Sequence, residues 1–188
     1  IRGEKALDSI QLINKFKIFS YIQAEEDLIF IDLEKINFTE FNKYEKDKFL
    51  PLFFLNQILD EVSLKELKFS KSEILNISLL RKWALMLKRK TIYQLNEIER
   101  FYLHKELENI LPSFIFFLPR TLHEEWIKRW RDKDDKLFHP SNLINGDVIK
   151  NCLKIEDGPL LGKLINYLSI ELAFNRLDNF DEAIYKGK

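Results

Sequence analysis

Four times in this chain a Ser or Thr stands three residues before a Glu or Gln: Ser63 with Glu66, Ser70 with Glu73, Thr91 with Gln94, and Thr121 with Glu124. In such a capping box the hydroxyl accepts an N–H of the first helical turn, while the acid or amide returns to the N–H of the cap residue. Asn179 with Glu182 is a weaker start of the same kind. Starts this frequent break the chain into short pieces, so the expected fold is all-α, an irregular array of short helices rather than a long bundle. The spacing of apolar residues predicts helices over 5–21, 41–59, 64–68, 71–88, 92–109, 122–132, 146–153, 159–175 and 180–185. Pro51 either bends or splits the second of these, and Pro112 and Pro119 bracket an apolar piece, Ser113–Leu118. The one β-like run, Leu28–Leu33, reads equally well as an extended connector. A polar break from Asp132 to Ser141 divides the chain into a larger helical region, 1–140, and a small helical subdomain, 141–188.

The chain can build a sizeable core, since 46% of its 188 residues are hydrophobic and 16 are Phe. Its 30 basic and 30 acidic residues cancel, which argues against sequence-blind nucleic-acid binding by the whole surface and leaves room for a local basic face. No apolar run reaches the ~18 residues of a membrane span; Phe49–Leu59 is too short and is interrupted by Pro51, Asn56 and Gln57. No signal peptide is visible, and the chain opens at Ile1 rather than Met, as expected of a piece of a longer protein. The single cysteine, Cys152, has no internal disulfide partner; it is expected as a small buried apolar residue in a reducing, cytoplasmic setting.

Catalytic patterns are scarce. Asp132, Asp134 and Asp135 form D-K-D-D, but in a polar loop rather than on the rigid strand that paired metal-binding carboxylates need, so the expectation is a solvated turn. His123-Glu124-Glu125 lacks a second His one turn on, and none of His104, His123 and His139 has a ligand-type neighbour; all three read as surface or partly buried residues, with no metal site. Nothing else composes a catalytic centre.

Charge is more informative. Ile74–Asn96 carries Arg81, Lys82, Lys88, Arg89 and Lys90 and no acid. These cations either complement the C-terminus of a helix or form a phosphate-contacting ridge. Pro119–Lys136 adds Arg120 among other cations, with Trp126 and Trp130 one helical turn apart; that pair reads as core packing before base stacking. Three of the five glycines, Gly146, Gly158 and Gly162, fall within Leu143–Lys163. Gly158-Pro159 opens a helix whose free N–H groups suit an anion, Gly162 permits close approach of another backbone, and Lys163 adds a cation. A tight helix–helix turn would use the same glycines.

From Leu143 to Ala183 the chain resembles the C-terminal tail of the bacterial tRNA nucleotidyltransferase and poly(A) polymerase family. That tail has a leucine-rich L-x-G-x-D-L start, here Leu143 through Asp147 with Asp directly after Gly146. It continues with a G-P-x-x-G helix opening, Gly158 through Gly162, a long helix, Lys163 through Phe174, and a short last helix, Asn179 through Ala183. Leu67–Leu80 resembles a phrase of the family's body domain, and Lys5-Ala6-Leu7 the segment after its neck. Residues 24–48 have no family counterpart, and Lys17-Ile18-Phe19 stands where the family has a glycine turn.

The resemblance implies a body and tail that hold tRNA by shape and backbone. The catalytic head, with its two metal-binding aspartates, and the nucleotide-selecting neck are not found in these residues. By that resemblance Mg²⁺ and ATP or CTP belong to the head, and this region has no cofactor and is silent alone. Its partners would be tRNA or another RNA and the N-terminal head and neck, with no membrane; self-association stays open. The expected RNA contacts are Lys88, Arg89, Lys90 and Arg120, with Gly158, Gly162 and Lys163 in the tail. The alternative is a helical protein-interaction or oligomerisation domain using the Phe-rich 41–59 stretch; a helix–hairpin–helix DNA module built on Gly146 and Gly158–Gly162 is a third reading.

Overall fold

The computed structural model describes residues 39–142, 144–154 and 156–178. The first expected helix, the Leu28–Leu33 run, the segment beginning at Lys5 and the Asn179–Glu182 start lie outside the described residues. Among the described residues every regular element is helical: α1 Lys43–Ile58, α2 Glu61–Glu66, α3 Lys71–Arg89, α4 Glu97–Leu107, α5 Leu111–Ile115, α6 His123–Arg131, α7 Gly146–Leu153 and α8 Pro159–Ala173. Short 3₁₀ turns occur at Ile92–Gln94, Arg120–Leu122 and Pro140–Asn142. No described helix is long and apolar enough to cross a membrane.

The helix starts show which caps the chain uses. Ser70 and Glu73 form a reciprocal box at the head of α3. Two further boxes have Asn as the cap, Asn42 with Glu45 opening α1 and Asn96 with Glu99 opening α4. The carbonyl oxygen of Asn accepts the same N–H as a hydroxyl would. Thr91 and Gln94 do pair, but their pairing closes only the 3₁₀ turn. Ser63 lies inside α2, which is capped instead by the Asp60 carboxylate at 2.7 Å from Ser63 N. Thr121 falls within the 3₁₀ turn before α6. Pro51 neither splits α1 nor ends it. Its missing N–H frees the carbonyl of Asp47, an exposed residue, where water can take the bond.

The described residues gather into two compact units that interleave along the chain: 39–94 with Asn109–Lys128, and Leu95–Glu108 with 129–178. The expected boundary at 140/141 therefore falls inside the second unit.

The core of the first unit is aromatic. Phe49, Phe53, Phe54 and Phe114 are at most 1% exposed. Phe53 meets Phe116 at 5.1 Å and Phe117 at 5.0 Å between ring centroids, and Phe41 meets Phe116 at 4.4 Å. Edge and tilted arrangements of this kind add to the burial of ring area. Within the Phe-rich 41–59 stretch the Phe rings are thus interior, whereas Tyr44 is exposed. Ser113 Oγ donates to Phe49 O at 2.9 Å, tying α5 to α1. Arg81 reaches from α3 to the carbonyls of Asn56, at 3.0 Å, and Leu59. It supplies a cation to an α1 C-terminus that has none in its own last turn. Arg81 is therefore structural, not part of an outward ridge.

The second unit has a smaller aliphatic cluster, Ile149, Leu161, Leu168, Leu172 and Leu177, where α7 meets α8. α8 ends in a Schellman arrangement: Asn175 takes φ 54°, Arg176 N donates to Glu171 O at 2.9 Å and Asn175 N to Leu172 O at 3.1 Å. Arg176 then bridges Glu97 at 2.8 Å and Glu171 at 2.7 Å, which together raise its already high pKa, and with Arg100 it flanks the Phe174 ring. A polar knot joins the end of α4 to the 132–141 loop. Trp130 Nε1 donates to Glu108 O at 2.9 Å, and His139 lies between the Glu108 carboxylate, at 3.3 Å, and Trp130 O, at 2.7 Å.

All three histidines are buried, which corrects the surface or partly buried reading. His104 packs against Phe138, with ring centroids 4.2 Å apart and the planes tilted by 42°. Burial first, then the charge of Arg129, lowers its pKa to about 3, so it is neutral in the folded protein. His123 Nε2 lies 3.0 Å from Leu118 O. Cys152 is exposed on α7, against the expectation of burial, because Ile149 takes the inward position on that short helix.

Candidate nucleic-acid interface

The predicted site residues fall in both units. In the first, α3 ends at Arg89, so Lys88, Arg89 and Lys90 form its C-terminal turn and cap. Lys88 and Arg89 are exposed, as is Arg120 in its 3₁₀ turn, and no ion pair among the described residues engages any of the three. Helix-dipole compensation needs only about half a charge. Lys88 and Arg89 together exceed that need, so the turn keeps a local positive field.

The structure brings this turn to the 117–119 segment. Leu87, Thr91, Ile92, Tyr93, Phe117, Leu118 and Pro119 line one cleft of about 400 Å³. Lys88 follows Leu87 on one wall and Arg120 follows Pro119 on the other. Sequence reasoning found the cations but missed Tyr93, which is 73% exposed at this cleft. The available signal was an aromatic residue two places beyond the Thr91 turn, directly after the basic run.

In the second unit the three glycines separate into two kinds. A Cβ on Gly146 would meet Ile165 Cδ1 at 3.0 Å, so this glycine serves helix packing between α7 and α8. A Cβ on Gly158 or Gly162 would meet nothing within 4 Å. The tight-turn reading therefore holds for Gly146 and not for the other two. Gly158 is the N-cap of α8 with no side-chain cap, Pro159 follows as the first helical residue, and Gly162 N already donates to Gly158 O at 3.2 Å.

Gly162 and exposed Lys163 line an open cleft of about 560 Å³ with Tyr102 and Lys105 of α4 and Pro159, Ile165 and Asn166 of α8. Tyr102 and Lys105 were not singled out from the sequence, since nothing in the chain order joins α4 to α8. The electrostatics here are weaker than in the first unit. Glu156 and Asp157, both exposed, directly precede the α8 start and compete with any anion for its positive end. Lys150 is already paired with Asp157.

The D-K-D-D string is a structural turn. Burial alone would raise the Asp135 carboxyl. Hydrogen bonds from Arg129, at 2.7 Å, and from the N–H groups of Phe138 and Leu137, at 3.1 Å, outweigh that and hold it below its ordinary value. Asp132 accepts Asp134 N at 3.1 Å. Trp126 packs near Phe114, with centroids 6.4 Å apart, while Trp130 Nε1 is held by Glu108 and Lys133 Nζ lies 4.9 Å from the centre of its ring, so both rings already have packing partners.

Compared with known proteins, the chain is similar to a CC-adding tRNA nucleotidyltransferase of Synechocystis sp., with 26% identity over 135 residues, 66% of this chain and 31% of the relative. The chain thus spans about a third of the length of that curated relative. This likeness supports the tRNA nucleotidyltransferase family and does not assign the part of the relative that this chain represents. No protein-family model matches the chain, and no solved structure matches it significantly.

Proposed function

We propose that this chain is the RNA-holding body and tail portion of a tRNA nucleotidyltransferase or poly(A) polymerase family protein. It positions tRNA while a separate catalytic region adds nucleotides, and the metal ion and nucleoside triphosphate belong to that region. The observation that carries the reading is the likeness to the CC-adding enzyme over two thirds of this chain. Lys88 and Arg89 at the end of α3 and Arg120 in its turn, which have no ion pair among the described residues, support it. They form the kind of compact positive face that a chain of zero net charge needs in order to hold a phosphate backbone. Gly158, Gly162 and Lys163 form a second, weaker contact, because the neighbouring acids offset the helix end.

The test is a titration of labelled tRNA at low and moderate salt with the full chain. Binding is expected at low salt, with a log–log salt slope of about −3, as for a few phosphate contacts. Reversal of Lys88, Arg89 and Lys90 to Glu should remove it. Absence of binding by the folded chain at low salt would sink the reading, and duplex DNA competing as well as tRNA would favour the DNA-module alternative.

A further inference from the structure

The cleft at the end of α3 has a composition that phosphate contacts alone do not explain. Its walls are Leu87, Ile92, Phe117, Leu118 and Pro119, and the exposed ring of Tyr93 stands beside them. At about 400 Å³ it has room for one nucleobase and not for a helix. The surrounding charge selects among apolar occupants. Residues 74–96 contain no Asp or Glu, and Lys88 and Arg120 are the chain neighbours of the wall residues Leu87 and Pro119. An apolar peptide gains nothing from that rim, whereas a nucleotide offers a flat apolar base joined to an anion.

Resting on the RNA-holding reading, we propose that this cleft is a pocket for one unpaired nucleotide of the bound RNA. The base enters between the Leu87–Ile92 and Phe117–Pro119 walls and stacks on Tyr93, and its flanking phosphates lie against Lys88, Arg89 and Arg120. Aromatic stacking of this kind accepts any base, since every base has a π-face. The pocket would therefore detect that a nucleotide is unpaired rather than which one it is.

The experiment uses the full chain and end-labelled RNA octamers at low salt, one with all its bases and one with abasic sites in their place, read by fluorescence anisotropy. The wild type is expected to bind the base-bearing octamer roughly tenfold more tightly. Tyr93→Ala should abolish that preference without weakening the abasic octamer, and Tyr93→Trp should retain it. Lys88→Glu should weaken both octamers alike. Tyr93 is exposed enough that its truncation leaves the core intact, which circular dichroism checks. Competition by millimolar adenosine monophosphate, lost in Tyr93→Ala, would support the same pocket with a free nucleotide as its occupant. Equal affinity of the wild type for both octamers, an unchanged preference in Tyr93→Ala, or failure of both octamers while tRNA binds overturns the pocket alone. Failure of the octamers and of tRNA together overturns the RNA-holding reading as well.

Discussion

Both units bury aromatic and aliphatic side chains, but their surface charges are held differently. The first buries the rings of Phe49, Phe53, Phe54 and Phe114 beside an aliphatic cluster, Ile58, Leu59, Leu64 and Ile77, and its Lys88, Arg89 and Arg120 have no ion pair among the described residues. The second has an aliphatic cluster of its own, and much of its charge is spent on holding itself together: Arg176 with Glu97 and Glu171, Arg129 with Asp135, Lys150 with Asp157. A count of cations would rate the two surfaces as similar. What separates Lys88, Arg89 and Arg120 from the paired cations of the second unit is that no acid among the described residues holds them, so the proposed phosphate contacts are expected to be stronger there.

The contrast can be broken at several points. The largest effect should come from the aromatic core: Phe53→Ala is expected to cost about 3–5 kcal/mol in urea unfolding, near the upper end of such truncations. A loss under about 1 kcal/mol would mean that the ring cluster is loose. Next is acid sensitivity in the second unit. His104 is neutral when folded, with a pKa of about 3, against 6.5 for the unfolded chain. Its contribution is complete above pH 6.5 and is lost as pH falls towards 3, because the unfolded state takes up the proton first. The slope should reach at most ~1.4 kcal/mol per pH unit. His104→Phe should flatten the pH dependence of stability over that window, and an unchanged slope would remove His104 from the account.

A smaller effect sharpens the electrostatic contrast directly. Lys88→Glu with Arg89→Glu should lower tRNA affinity roughly tenfold or more at low salt, while Lys163→Glu should change it only about twofold. Equal losses would erase the distinction between the two faces. The smallest effect separates the glycines. Gly162→Ala should stabilise the chain by about 0.5–1 kcal/mol, as expected for an open helical position. Gly146→Val should destabilise it by about 1–3 kcal/mol through the contact with Ile165. Thermal unfolding of both variants reads the difference in sign. If Gly162→Leu then weakens tRNA binding in a folded protein, Gly162 is kept for an approaching strand.

Local signals carried much of the helical plan. The Ser70 box, Asn145 before Gly146 and Pro159 after Gly158 act through bonds or restraints a few residues away, so their helix starts are legible in the chain. The same locality explains the misses. Ser63 and Thr121 match the box pattern, but Asp60 and the 3₁₀ turn at Arg120 claim the first-turn positions, and a pattern of spacing does not register that competition. His104 was open to a better reading, since it lies at helical spacing between Phe101 and Leu107, both fully buried.

The sequence alone was enough for the all-α class, the helix starts at Lys71, Gly146 and Pro159, and the acid-free basic run, because each rests on neighbours along the chain. Only the tertiary structure decided which neighbours the cations and glycines meet. It gave Arg81 to the end of α1, brought Pro119, the residue before Arg120, to the cleft at the end of α3, and turned Gly146 inward while leaving Gly158 and Gly162 open. The physical reason is that a charge or a missing Cβ acts through whatever lies within a few ångströms of it, and for these residues that neighbour comes from a distant part of the chain.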